Sequence, residues 1–182
     1  RLNNLVDDFL LFARPKQPNI RKFSLNRLVA DSLELFTNSG KYDKRMRIET
    51  DLRGEIHLES DPEQIKQVLW NLFLNATEAI PQEGVIHVGT DIVAGGQEPG
   101  AEGKVRLTVR DTGNGFQKKA LTHLFTPFFT TKEKGSGLGL AIVKRIVEGL
   151  GGEIYGENHP EGGAKITILL QPLADPIPAS GT

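Results

Sequence analysis

Three oxygen-bearing side chains, Asn71, Asn75 and Glu78, stand at i, i+4 and i+7 beside the apolar set Ile65, Val68, Leu69, Leu72, Phe73, Ala76 and Ile80. On a helix that spacing puts the three in line on one face, next to the buried one. Asparagine is a mediocre helix former, so two of them one turn apart ask for a reason. Either they form a solvated face, or their neutral amide oxygens serve a hard cation such as magnesium.

Three further segments carry chemistry. A strand ending at Arg110 runs into Asp111-Thr-Gly-Asn-Gly115, a carboxylate beside backbone that turns tightly. This is ordinary turn chemistry, or a carboxylate placed to accept a hydrogen bond from an exocyclic amine such as that of adenine. Gly135-Ser-Gly-Leu-Gly139 opens a helix. Its free N–H groups and positive dipole end suit a phosphate, although a flexible hinge has the same composition. The segment lacks the Lys-Ser or Lys-Thr of a Walker A loop, and Leu140 stands where the dinucleotide fingerprint needs its third glycine. Between these lies Phe125-Thr-Pro-Phe-Phe-Thr-Thr-Lys132, with Lys134 nearby. It reads as a core loop, or as a lid whose phenylalanines anchor it and whose lysines neutralise a polyphosphate.

The elements that must position these groups follow from periodicity and punctuation. The spacing predicts a helix over Ser24–Thr37, a strand near Met46–Leu52 and a helix from the cap Asp61 to Ile80, with Pro62 at its first position and Gln64 completing a capping box. Strands are expected at Val85–Val93 and Val105–Arg110, joined by the flexible run Ala94–Gly103. An irregular stretch, Thr112–Gly137, leads to a helix over Leu138–Leu150 that is apolar on nearly every side and so expected to be buried. Strands near Glu153–Glu157 and Lys165–Leu170 close the pattern. At the start, Leu2, Leu5, Phe9 and Phe12 repeat at 3-4-3 spacing until Pro15, a seam wanting a partner helix. The expected units are 1–14, a helix stub; 15–22, a linker; 23–172, the main domain; and 173–182, a flexible tail.

Composition excludes several classes of function. The chain has 182 residues, enough for one domain with a real core. Its 22 Lys and Arg against 23 Asp and Glu give a net charge of −1, so it lacks the broad basic footprint of a protein that wraps nucleic acid or lies on anionic lipid. There is no cysteine, which removes disulfides and thiol chemistry and suits a cytoplasmic location. No apolar run reaches the length of a membrane span, and the Arg1 start suggests a cut from a longer polypeptide whose membrane anchor, if any, lies elsewhere.

In order and spacing, Asn71-Leu-Phe-Leu-Asn75-Ala-Thr-Glu-Ala79, Asp111-Thr-Gly-Asn-Gly115, Phe125-Thr-Pro-Phe-Phe129 and Gly135-Ser-Gly-Leu-Gly139 resemble the catalytic, ATP-binding domain of bacterial two-component sensor histidine kinases, particularly the nitrogen-regulation and pilus-sensor type. The resemblance covers residues 20 to 172. It implies the Bergerat fold shared with DNA gyrase, the mismatch-repair ATPases and the heat-shock chaperone ATPases: a two-layer α/β sandwich, its mixed sheet covered on one face by helices, here preceded by a coiled-coil stub. It also implies that Asn75 coordinates magnesium and that Asn71 lines the same site. Asp111 would bind the adenine amine, with Gly113 and Gly115 leaving room for the base. Phe125, Thr131 and Lys132 would belong to the lid, and Gly135, Gly137, Leu138 and Gly139 would wrap the phosphates of ATP. Asn71, Glu78 and Lys132 would be the catalytic positions.

The implied partners are ATP, a phosphoacceptor histidine hairpin, a response regulator and a second copy of the full-length protein. The 1–14 stub resembles the second helix of that hairpin. None of His57, His87, His123 and His159 stands in the acceptor's His-Glu-x-x-x-Pro setting, so the chain alone is not expected to phosphorylate itself. Two residues depart from the family's pattern: Glu78, where many members carry Lys or Arg, and Ala164, near a site where a small hydroxyl residue is frequent. Rival readings are an ATP hydrolase of the same fold, disfavoured because Asn71 stands where its glutamate base would be, a serine kinase of that fold, and a non-catalytic nucleotide-binding or interaction module.

Overall fold

The structure is a computed structural model that describes residues 17–94, 103–132 and 135–172. The 1–14 stub, most of the Ala94–Gly103 connection, Lys134 and the 173–182 tail lie outside the described residues.

The chain enters through β1 (Arg21–Ser24) and turns directly into α1 (Leu25–Asn38), with the Ser24 hydroxyl capping it by accepting from Arg27 N at 3.4 Å. The stripe Leu25, Leu28, Val29, Leu33 and Phe36 is buried as its spacing predicts. After β2 (Met46–Leu52) comes β3 (His57–Ser60), which pairs antiparallel with β1 as a separate two-stranded ribbon. The sequence reading contains neither of these two strands. At four residues each they are too short to display an alternation, and their pairing spans more than thirty positions.

Next, α2 (Pro62–Ala79) starts at Asp61, whose Oδ1 accepts from Glu63 N at 2.9 Å and Gln64 N at 3.1 Å. The expected capping box takes a different form, because Gln64 Nε2 donates to Asp61 Oδ2 at 3.3 Å rather than contacting the cap backbone. The same Oδ2 accepts from Asn19 N at 2.8 Å, which ties the incoming chain to the start of α2. Burial works against the Asp61 charge, but these hydrogen bonds outweigh it and hold the carboxyl below its ordinary value.

The main sheet is mixed and five-stranded, in the order β2, β4 (Gly84–Val93), β5 (Lys104–Asp111), β7 (Ala164–Leu170), β6 (Glu153–Asn158). Only β2 and β4 run parallel, which requires the crossover that α2 supplies. One face is apolar: Val105, Leu107 and Val109 of β5 alternate with Arg106, Thr108 and Arg110, and Ile166 and Ile168 of β7 continue the buried row. Against that face pack α1, α2 and α3 (Gly139–Gly149). This is the two-layer α/β sandwich expected, with the β1–β3 ribbon added.

Two corrections concern α3. It begins at Gly139, with Leu138 as its cap residue, and it is one-sided rather than apolar all round. Ala141, Ile142, Val143 and Val147 are buried, whereas Glu148 and Gly149 are exposed and Lys144 spans towards Glu148 at 3.5 Å. The helix covers one edge of the sheet, so its Glu148 side meets water. The irregular stretch contains a 3₁₀ turn, Lys118–His123.

Candidate functional site

Between α2, the ends of β5 and β7 and the start of α3 lies a cavity of about 650 Å³. Its floor is the end of β5. Asp111, the last residue of that strand, is 5% exposed. Its Oδ1 accepts from Gly113 N at 2.8 Å and from Ala164 N, at the start of β7, at 3.3 Å. Among the described residues its other oxygen accepts no hydrogen bond. Burial is the largest influence on this carboxyl and pushes its pKa up, against the two backbone N–H groups and the charges of Lys132 and Arg110. A desolvated carboxylate oxygen with a free lone pair is a strong acceptor for a donor brought into the cavity.

The loop after Asp111 needs its glycines for contact. A Cβ on Gly113 would lie 2.2 Å from Ala79 O, because the loop docks on the C-terminal end of α2, where Asn114 N donates to that same oxygen at 3.1 Å. Asn158, at the end of β6, clamps the next turn from outside: its Oδ1 accepts from Phe116 N at 2.7 Å and its Nδ2 donates to Phe116 O at 2.8 Å.

The opposite wall is α2, and Asn71, Asn75 and Glu78 all line the cavity. Asn71 Nδ2 donates to Gln67 O at 3.0 Å, which fixes the amide with its oxygen towards Gly139. A Cβ built on Gly139 would meet Asn71 Oδ1 at 3.4 Å and the Asn75 amide at 3.6 Å, so both asparagines sit against the first turn of α3. That turn is open. The first intrahelical bond is Ile142 N to Leu138 O at 2.8 Å, which leaves the N–H groups of Gly139, Leu140 and Ala141 without a helical acceptor. Backbone donors and the positive dipole end beside two neutral amide oxygens can hold an anion together with a hard cation.

The third side is the Phe125–Lys132 segment and the glycine loop. Thr131, Lys132, Gly135, Gly137 and Gly139 line the cavity, as do Asp111 and Gly115. Gly137 has φ +68° and its hydrogen lies over the Phe128 backbone, where a Cβ would come within 2.5 Å of the carbonyl carbon. Phe128 is itself left-handed at φ +64° and 58% exposed. Lys132 Nζ reaches across the cavity mouth to Glu78 Oε2 at 2.6 Å.

Three expected site residues stand elsewhere. Phe125 packs beside Gly156 of β6, with Lys144 Nζ 5.9 Å from its ring centre, and does not line the cavity. The phenylalanines that do line the cavity are Phe129, whose ring lies 5.5 Å from that of His123, and Phe116. Leu138 is fully buried beneath α3, and its N–H is taken by Ser136 Oγ at 3.3 Å. Gly113 lies beneath the floor rather than on it. Sequence reasoning missed the part played by the Ala164 N–H and by Asn158. The backbone amide has no sequence signal, and the side chain acts 42 positions away from its partner.

The sequence profile described as "Histidine kinase-, DNA gyrase B-, and HSP90-like ATPase" matches residues 60–174. The chain belongs to this ATPase family. It is 38% identical over 170 residues to the sensor histidine kinase ZraS of Klebsiella oxytoca, an alignment that covers 93% of the chain and 35% of ZraS. The chain thus spans about a third of the length of the curated relatives it matches. Among solved structures it resembles full-length ShkA in complex with AMPPNP, with TM-score 0.77 and 26% identity over 97% of the chain and 37% of ShkA. It also resembles histidine kinase ThkA in complex with the response regulator TrrA, with TM-score 0.73 and 30% identity over 94% of the chain and 47% of that protein. Membership in an ATPase family implies that this domain binds ATP. Among the described residues no helix is long and apolar enough to cross a membrane.

Proposed function

We propose that this chain is the ATP-binding catalytic domain of a sensor histidine kinase, which passes the γ-phosphoryl group of Mg-ATP to a histidine on a dimerisation hairpin for relay to a response-regulator aspartate. The observation that carries this reading is the meeting, in one cavity, of a buried carboxylate with a free oxygen and an asparagine pair set against an open helix N-terminus. The first suits the adenine amine and the second suits polyphosphate, and they lie at different walls of the same space.

Each group then has a role. Asp111 accepts from the adenine amine, and Gly115 leaves backbone beside the base. The N–H groups at the start of α3 and the Gly135–Gly139 loop take phosphate oxygens. Magnesium fits the donors present, since amide oxygens are hard neutral ligands and this ion keeps most of its shell as water and phosphate. Asn75, with Asn71 beside it, would hold the ion, which when bound neutralises charge on the transferring group. Transfer itself needs positioning and charge neutralisation more than a base. Lys132, Glu78 and Asn71 surround the place where the terminal phosphoryl would be.

Hydrolysis is disfavoured on one observation: Asn71, which stands where a glutamate base is needed, is a neutral amide tied to Gln67 O. Homodimerisation, docking of a response regulator and a cytoplasmic location belong to the same proposal, and the complex of ThkA with the response regulator TrrA supports the second of them. The test is phosphate transfer. With γ-labelled ATP, this chain is expected to label a separately supplied acceptor hairpin carrying its histidine, and to leave itself unlabelled. Release of inorganic phosphate with no labelled hairpin supports the hydrolase instead, and binding without either product supports a non-catalytic module.

A further inference from the structure

The charge inventory of the cavity is unusual for a site that takes a polyphosphate. Among the described residues that line it, Lys132 is the one cation, set against the carboxylates of Glu78 and Asp111. That cation is engaged, its Nζ lying 2.6 Å from Glu78 Oε2. The main chain of Lys132 is held independently of this contact. Its N–H donates to Thr130 Oγ1 at 3.0 Å, and its carbonyl accepts from Gly135 N at 3.2 Å. The ion pair therefore decides only the direction of the side chain. Glu78 is equally fixed, one turn after Asn75 on the last turn of α2 and on the same cavity wall.

Resting on the nucleotide reading above, we propose that Glu78 is a built-in competitor for Lys132, so that the site discriminates between adenine ligands according to whether their phosphate chain reaches Lys132. A nucleoside polyphosphate must take the ammonium from Glu78 before it gains that contact. A nucleoside that fills only the Asp111 end leaves the pair intact and its affinity owes nothing to Glu78. The pair is half-exposed, with 40% of the Lys132 side chain and 56% of the Glu78 side chain in water, so it is a weak brake. Weakness suits a contact that must open in every cycle of binding. Glu78 acts through Lys132 and is in this sense a positioning residue.

The test uses the 182-residue chain and four forms of it: parent, Glu78→Gln, Lys132→Met and the double variant. Each is titrated calorimetrically at fixed magnesium with a non-hydrolysable ATP analogue and with adenosine, after thermal melting confirms that it is folded. Glu78→Gln is expected to tighten the analogue about twofold to fivefold, the range set by an exposed ion pair. It should leave adenosine unchanged and have no effect in the Lys132→Met background. Raising ionic strength in the parent should narrow its gap to Glu78→Gln, because salt screens the exposed pair. A gain that persists without Lys132 means that Glu78 simply repels phosphate, and overturns the proposal. So does an equal gain for adenosine, no gain at all, or a loss of analogue affinity, which would make Glu78 a contributor to binding. Failure of the parent to bind either ligand refutes the nucleotide reading itself, a result distinct from all of these.

Discussion

Replacing Asp111 by asparagine separates the two demands placed on that residue. In the folded chain one oxygen is committed to Gly113 N and Ala164 N, and an asparagine carbonyl can keep both bonds. The other oxygen becomes an NH₂ group facing the cavity, so a donor would confront the adenine amine. Hydrogen bonds to charged groups contribute roughly 1.5 to 3 kcal/mol, so the loss corresponds to about 10- to 150-fold weaker binding of a non-hydrolysable ATP analogue. Stability should move the opposite way. Burial pushes the Asp111 pKa above 3.8, so the folded state holds its proton more tightly than the unfolded chain does. Stability is therefore lost as pH rises from the ordinary carboxylate value through the folded one, and the cost is fully present above the folded value. The neutral isostere removes it. The expected result is an unliganded melting temperature equal to or above that of the parent, with calorimetric affinity at least tenfold weaker. Affinity within threefold of the parent in a folded variant would refute the adenine assignment. A melting temperature lowered by more than about 4 °C, a cost above roughly 1 kcal/mol for a domain of this size, would refute the reasoning about burial.

Other positions give independent checks. Asn75→Ala should make analogue affinity the same with magnesium and with chelator, and an unchanged response to chelator in calorimetry would count against its metal role. Gly137→Ala forces a side chain into left-handed backbone, which costs about 1 to 2 kcal/mol, and 2.5 Å from the Phe128 backbone, which must shift and adds to that cost; it should abolish analogue binding and lower stability by at least that amount in a denaturant titration. Asp61→Ala removes the α2 cap and the tie to Asn19, and should lower stability by about 0.5 to 2 kcal/mol in urea unfolding at pH 7. Because the hydrogen bonds hold the Asp61 carboxyl below 3.8, the part of that difference owed to its charge is present above the ordinary value and lost as pH falls through the folded one. A gap that widens in acid would contradict this.

The parts of the molecule that were legible in the sequence are those whose signal is local. The α1 stripe, the Asp61–Pro62 start of α2 and the alternation of β5 and β7 each depend on neighbours within a turn or a strand. So does the alignment of Asn71, Asn75 and Glu78, which needs only helical spacing. What escaped was set by tertiary placement. β1 and β3 are strands because they find each other across the fold, and Arg-Lys-Phe-Ser alone gives no hint of it. The mostly apolar composition of α3 concealed its one-sided burial, since Lys144 and Glu148 face water at the sheet edge. Phe125 and Phe129 are alike in type and close in sequence, and only the course of the loop decides which turns towards Gly156 and which towards the cavity. The Lys132–Glu78 pair joins residues 54 positions apart and could be read only from the structure.

The most direct test of the central claim is a calorimetric titration of this chain with a non-hydrolysable ATP analogue, with magnesium and with chelator. Binding that requires or is strongly strengthened by magnesium is expected if the asparagine pair and the open end of α3 receive a metal-bound polyphosphate. A folded chain that binds no nucleotide in either condition would contradict the account.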